Sequence, residues 1–293
     1  MSSSINFKNI LVVGIGLIGG SIIRAIKESS FSGGVYGMDS DKKAVTSAYD
    51  LGFIQNKDAN IPKDLDDLLV VFSVPVLSIQ EALSQTNIKI NTENVIYTDT
   101  LSVKSSILNT LKASDKNVLK RFVLSHPIAG SEKSGFKASS SELFKEKLSI
   151  VCPHEENSEK DVSKVEDFWK ALGSYTKKLS AHDHDELFGK TSHMPHGVAY
   201  ALMESLYQDL GENTFLYSGG SLEDYTRIAS SDPIMWRDIM VSNDKSILNS
   251  IESFKISLDK LSELIENNNT TGLIEFFSTV KKDRDKSISG KED

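Results

Sequence analysis

A single cysteine, Cys152, stands in 293 residues. One thiol cannot build an internal disulfide framework, and such scarcity fits a reducing compartment. Positive charge is also in the minority: 33 lysines and arginines against 41 acids leave a net charge of −8. Surfaces for nucleic acid are basic as a rule, so no nucleic-acid partner is expected. Long apolar runs are missing too; none nears the ~20 residues that span a bilayer. The opening MSSSINFKN lacks a cationic start followed by an apolar core, so it does not read as a signal peptide. The expectation is a cytoplasmic protein with no membrane partner. With 39% hydrophobic and 25% charged residues, the composition is that of an ordinary globular chain, long enough for two domains.

What is present begins with residues 9–13, NILVV, a β-branched run without amphipathic alternation. That is the pattern of a strand buried on both faces. It leads directly into Gly14-Ile15-Gly16-Leu17-Ile18-Gly19 and then into a helically spaced stretch. A G-x-G-x-x-G motif thus joins a strand to a helix. Gly14 permits the tight turn, Gly16 lets backbone approach a pyrophosphate, and Gly19 lets helix and strand pack closely. The helix N-terminus, with Leu17 and Ile18 in its first turn, offers unpaired N–H groups to phosphate. Asp39 closes the next apolar run, 20 residues after Gly19. An acid there suits the ribose hydroxyls of NAD and repels the extra phosphate of NADP; Lys42 and Lys43 nearby leave weaker NADP use open.

Strand and helix signals go on alternating. Residues 68–74, 94–99, 122–126, 148–153 and 175–179 read as strands, and 42–51, 76–85, 103–111 and 162–172 as helices. Repeated βα units predict a doubly wound parallel sheet, because parallel neighbours need crossover connections. Ligands of such a sheet sit beyond the carboxyl ends of its strands, where Ser73 and Pro75 would join the cofactor site. From about residue 181 long amphipathic stretches take over, at 186–210, 233–265 and 271–282, with Asp232-Pro233 as a helix start. The boundary is placed near 180: residues 1–180 form a dinucleotide-binding domain, and 181–293 a helical domain for substrate and dimerisation.

Polar residues gather at 99–104, within LSHPIAGSEKSG (124–135), at 182–185 and 192–196, and at 224–227. His126 ends an apolar run before a turn, well placed for a catalytic base, though such a histidine can be purely structural. Ser102 alone could be a helix N-cap. Arg227 alone could be a surface salt bridge. His193 and His196 lie three apart on one helical face, which is compatible with metal ligation. No cysteine or obvious carboxylate completes that set, so no metal is expected.

GIGLIGGS, TDTLSVKSSI, SHPIAGSEKSG, SHMPH and DYTRIASSDPIMWRDI, in this order, closely resemble the prephenate/arogenate dehydrogenase family of tyrosine biosynthesis. The resemblance runs from about residue 9 to beyond residue 243. It implies a Rossmann domain followed by a helical domain that forms a homodimer, with the active site between them and NAD as cofactor. The implied reaction is oxidative decarboxylation, which turns prephenate into 4-hydroxyphenylpyruvate; arogenate, with an amino group in place of the keto group, would give tyrosine. A β-hydroxyacid dehydrogenase is a wider alternative, but it would typically place a lysine in the helical domain. By resemblance, His126 accepts the 4-hydroxyl proton and Ser102 hydrogen-bonds the same region. Arg227 holds a substrate carboxylate, and His196, with Ser192 and His193 nearby, lies on the substrate side. Glu132 is a gate or network residue, and Lys104 belongs to the substrate site. Leu101 departs from the small residue expected before Ser102.

Overall fold

The computed structural model of the chain describes residues 4–58, 60–87, 94–131 and 133–289. It divides into two compact units, Met1–Asp244 and Lys245–Asp293. The first opens with β1 (Asn9–Val13), α1 (Leu17–Glu28), β2 (Gly34–Met38) and α2 (Lys42–Asp50). Next come β3 (Leu68–Phe72), α3 (Ile79–Asn87), β4 (Val95–Asp99), α4 (Ser105–Lys112), α5 (Lys116–Arg121) and β5 (Phe122–Pro127). β6 (Leu148–Cys152), α6 (Glu159–Ala171) and β7 (Tyr175–Lys178) complete a seven-stranded sheet of order β2-β1-β3-β4-β5-β6-β7. β3 and β4 are buried along their whole length, the mark of strands covered on both faces. β2 lies to one side of β1, and β3 onward to the other. The carboxyl ends of β1 and β3 therefore flank the switch point of the winding, where such sheets leave a crevice.

The all-parallel expectation is corrected at β6. This strand runs antiparallel to β5, pairing His126 with Ile150, and β7 is parallel to β6. Among the described residues of 128–147, the only helical piece is the 3-10 turn Phe136–Ala138. With no helix to cross the sheet, the chain returns antiparallel. The turn lies on α1: the Arg24 guanidinium sits 4.5 Å and 4.8 Å from the Phe53 and Phe136 ring centres, and its Nε donates to Ser139 Oγ at 2.7 Å. The short helix α5, capped by Asp115, is too brief for periodicity to reveal.

Beyond the sheet, α7 (Ala181–Phe188) passes through a π-helical turn, Gly189–His193, into α8 (Met194–Leu210). α9 (Gly220–Thr226) and α10 (Pro233–Ser242) follow. Asp232 caps α10 as expected, accepting from the Met235 amide at 2.8 Å. The expected 186–210 helix is interrupted by the π turn. The 233–265 helix breaks at Asn243, whose backbone leaves helical geometry (φ −124°, ψ 34°). One face of the sheet stacks Phe72, Tyr97 and Phe122 across neighbouring strands, and the same core takes in Phe188, Trp236 and Ile239. Helices from beyond residue 180 thus share a core with the sheet. The second unit contains α11 (Asp244–Glu266) from its second residue on and α12 (Thr270–Ser289), which turn through Asn268 at φ +48°. Among the described residues no helix is long and apolar enough to cross a membrane.

Candidate active site

At the switch point, the glycines of the first turn are fixed by packing. Gly14 sits at φ +92°, and a Cβ there would stand 2.3 Å from the Ser73 carbonyl oxygen. A Cβ on Gly19 would stand 1.9 Å from the Gly14 carbonyl oxygen, whereas one on Gly16 would meet nothing within 4 Å. Two glycines are thus demanded by the fold, and the third faces open space, as backbone that receives a phosphate must. α1 begins directly after Gly16 without a side-chain cap, so the amides of its first turn, at Leu17 and Ile18, face the crevice. Asp39, at the carboxyl end of β2, accepts from the Ile15 amide at 2.5 Å and the Asp41 amide at 2.7 Å. This pins the acid against the glycine turn. Across the crevice Ser73 donates its amide to Val13 at 2.7 Å, and the exposed Pro75 follows. A carboxylate at one end and free amides at the other fit a dinucleotide without a 2′-phosphate.

His126 stands near the carboxyl end of β5, half-buried. Its Nδ1 lies 2.9 Å from Nε2 of His184 in α7, and His184 Nδ1 lies 2.8 Å from Asp185 Oδ1. A carboxylate can only accept, so His184 carries its proton on Nδ1 and accepts at Nε2. His126 must then donate from Nδ1, which leaves its Nε2 bare. A bare, oriented imidazole nitrogen has the form a general base requires. Burial, aided by the neighbouring His184 ring and the Lys104 ammonium, holds the His126 pKa well below the usual histidine range, so the ring rests neutral.

Burial pushes the Asp185 carboxyl upward, but the His184 hydrogen bond and two amides outweigh it and hold its pKa below the usual value. Those amides belong to Lys104, at 2.8 Å, and Ser105, at 2.7 Å. Asp185 therefore caps α4 from another element, with its charge at the positive end of that helix. Ser102 is not the cap. Neither His184 nor Asp185 is assigned a role by sequence reasoning, which sees only alternating histidine and aspartate over 182–185. The usable signal was helical phase: His184 and Asp185 share a buried face with Ala181 and Phe188.

Lys104 requires correction. Expected at the substrate, its ammonium is instead wholly buried, paired with Asp99 and donating to the Ser125 carbonyl at 2.6 Å. Ser125 returns its amide to Asp99 at 3.0 Å, and Trp169 Nε1 donates to Ser125 Oγ at 3.0 Å. The ion pair clamps the residue before His126, so Lys104 acts on the site through the backbone of β5. Leu101, large where a small residue was expected, is buried in the core below.

On the helical side, Ser192 and His193 lie in the π turn and His196 in the first turn of α8; π turns recur at functional sites. His196 stacks on Trp236 with ring centres 3.8 Å apart and donates from Nδ1 to the Ser192 carbonyl at 2.9 Å. Burial lowers its pKa, and the charge of Arg227 adds to the effect. His193 is buried beside the backbone of Ser102, with Nδ1 3.0 Å from Asn243 Nδ2, and burial pushes its pKa down to about 4. The two rings are directed to separate partners. Arg227 is exposed and lines a cavity of about 480 Å³ with Tyr200, Met203 and Phe215. Glu132 lies outside the described residues.

Residues 22–177 match the nucleotide-binding domain of prephenate dehydrogenase, and residues 180–279 its dimerization domain. Cyclohexadienyl dehydrogenase of Zymomonas mobilis is 33% identical to this chain over 290 residues, covering 95% of each. Prephenate dehydrogenase of Bacillus subtilis is 31% identical over 94% of this chain and 75% of its own. The crystal structure of prephenate dehydrogenase from A. aeolicus, in complex with hydroxyphenyl propionate and NAD+, superposes with a TM-score of 0.88 at 35% identity, covering 96% of this chain and 98% of the other. With matches of this extent to both domains, the chain belongs to the prephenate dehydrogenase family.

Proposed function

We propose that this protein oxidatively decarboxylates prephenate to 4-hydroxyphenylpyruvate with reduction of NAD, a step of tyrosine biosynthesis. The observation that carries the reading is the bare Nε2 of His126, held by His184 and Asp185 at the carboxyl edge of a dinucleotide-binding sheet. NAD, when bound along Gly14, Gly16, Leu17, Ile18, Gly19, Asp39, Ser73 and Pro75, supplies the hydride acceptor. His126 takes the proton of the substrate's 4-hydroxyl as hydride leaves the same carbon. The resulting imidazolium shares its Nδ1 hydrogen with His184, whose partner is an anion, so positive charge develops at one end of a chain that has a carboxylate at the other. The ring carboxylate leaves as CO2, its electron pair aromatises the ring, and His126 returns the proton to the phenolic oxygen. Ser102 contacts the reacting hydroxyl. Arg227 offers a planar fork to a substrate carboxylate, and His196, Ser192 and Glu132 complete the substrate side.

In this reading residues 1–180 hold the cofactor, and residues 181–293 serve substrate and a homodimer. Exposed Leu248, Ile256, Ile274 and Phe277 on α11 and α12 support pairing with a second copy. The test is a steady-state assay crossing prephenate and arogenate with NAD and NADP. Prephenate with NAD is expected to give the highest kcat/KM; a preference for arogenate would overturn the substrate assignment. In the same assay His126→Asn is expected to keep NAD affinity and lose about 10²–10⁴ in kcat, the usual worth of a general base. Near-normal kcat would remove His126 from that role.

A further inference from the structure

The histidines around the site differ in which ring nitrogen holds the proton, and the neighbours of each ring settle it. His126 and His184 carry theirs on Nδ1, as derived above. His196 does too, because its Nδ1 faces the carbonyl of Ser192, which only accepts. His193 is the exception, and the cause is Asn243. The Asn243 Nδ2 atom lies 2.9 Å from the backbone carbonyl of Asp185 and 3.0 Å from His193 Nδ1. Since a carbonyl cannot donate, the atom facing it is the amide nitrogen. One of its hydrogens goes to Asp185, and the other points at His193. Nδ1 of His193 must accept, so the proton sits on Nε2.

That Nε2–H is fully buried and makes no well-formed hydrogen bond among the described residues; the Ser102 backbone beside it is a weak partner at best. The ring lies edge-on to Trp236, with centres 6.2 Å apart, beside the backbone of Ser102. A buried donor without a well-formed hydrogen bond is costly and rare, and it calls for an explanation. Protonating Nδ1 would turn the Asn243 contact into donor against donor, so the cation is disfavoured. The ionisable groups around it do not reverse this. His184 and His196 have their pKa values lowered, and the Asp185 carboxylate is engaged by His184 and the α4 amides.

We propose that Asn243 locks His193, across the ordinary histidine range of pH, as a neutral Nε2–H donor for an acceptor oxygen of the substrate bound at the Ser102 loop. The site then divides its labour between two histidines. His126 can take a proton but has none to offer at Nε2; His193 can offer a hydrogen bond but cannot take a proton. The two cannot compete for the hydroxyl proton. Asn243 is the positioning residue of the pair. The identity of the acceptor rests on the functional reading above; the tautomer does not.

The experiment is a long-range ¹H–¹⁵N spectrum of the histidine-labelled full chain without substrate, with the His193 signals assigned by their loss in His193→Gln. The expected result is the Nε2–H tautomer, unchanged between about pH 5 and pH 8, where ordinary histidines titrate. In Asn243→Asp a carboxylate would accept from Nδ1–H, so the ring should change form and titrate at or above roughly 6.5. Asn243→Ala, which simply frees Nδ1, should give a tautomer mixture that titrates. An Nδ1–H form in the unaltered protein, or titration at an ordinary histidine pKa, overturns the lock. Kinetics test the donor. His193→Gln, whose amide keeps an N–H in that region, should hold the KM for prephenate within about threefold. His193→Met should raise it about tenfold, the worth of one hydrogen bond, with the KM for NAD unchanged. Equal losses in both variants overturn the donor role. Failure of the unaltered protein to turn over prephenate would sink the functional reading and leave the spectral result standing.

Discussion

Lys104 and Asp99 show how much a site can depend on residues that never meet a ligand. Both are wholly buried, and together with Ser125 they fix the strand end that carries His126. Replacing Lys104 with Met would leave a buried carboxylate uncompensated, a change that typically costs about 3–5 kcal/mol. Urea unfolding would measure it, and the Asp99→Asn, Lys104→Met double variant should recover part of the loss. A cost below about 1 kcal/mol for the single change would show that the pair does not hold the strand end. At this scale the sequence is a partial guide. The positions of His126 and Asp39 are legible because each closes an apolar run at a predictable edge. Lys104 is misassigned because a motif position does not say which way a side chain points. The buried His184-Asp185 pair and the exposed His182-Asp183 pair have the same composition, and only helical phase against Ala181 and Phe188 separates them.

Among the elements, the glycine turn gives the sharpest contrast. Gly19→Ala would drive a Cβ into the Gly14 carbonyl, so α1 must shift off β1. A lowered Tm together with lost NAD binding is the expected outcome. Gly16→Ala meets no protein atom, so its Tm should match that of the unaltered chain while the KM for NAD rises, because the new methyl stands where the pyrophosphate approaches. Thermal melts with and without NAD separate the two, and a lower Tm for Gly16→Ala than for Gly19→Ala would contradict the assignment. The strands and their alternation with helices were readable because buried parallel strands are uninterrupted apolar runs. The direction of β6 was not, since it depends on what lies between it and β5. The break after α10 was hidden for a similar reason: Asn243 leaves the helix to serve Asp185 and His193, which are distant in sequence.

For the molecule as a whole, buried histidines set an acid limit. Burial lowers the pKa values of His126, His184, His193, His196 and His154. Between the ordinary histidine value and these lowered ones, the unfolded chain binds more protons than the folded one, so stability rises with pH through that window. It is fully present above roughly pH 6.5 and is lost as pH falls. His193, pushed to about 4, accounts for roughly 3 kcal/mol of that loss by itself. Urea midpoints at successive pH values should fall steadily below neutrality, and His193→Gln should flatten the slope; midpoints independent of pH would refute the effect. The direction of β6 has a consequence on a different timescale. Because residues 128–147 leave from and return to the same edge of the sheet, that stretch can gain or lose residues without rethreading a strand. Part of it rests on the cofactor helix through Phe136 and Ser139. Descendants of this chain can therefore vary that stretch by insertion and deletion alone, while the hydrogen-bonded chain of His126, His184 and Asp185, built into β5 and α7, is inherited intact.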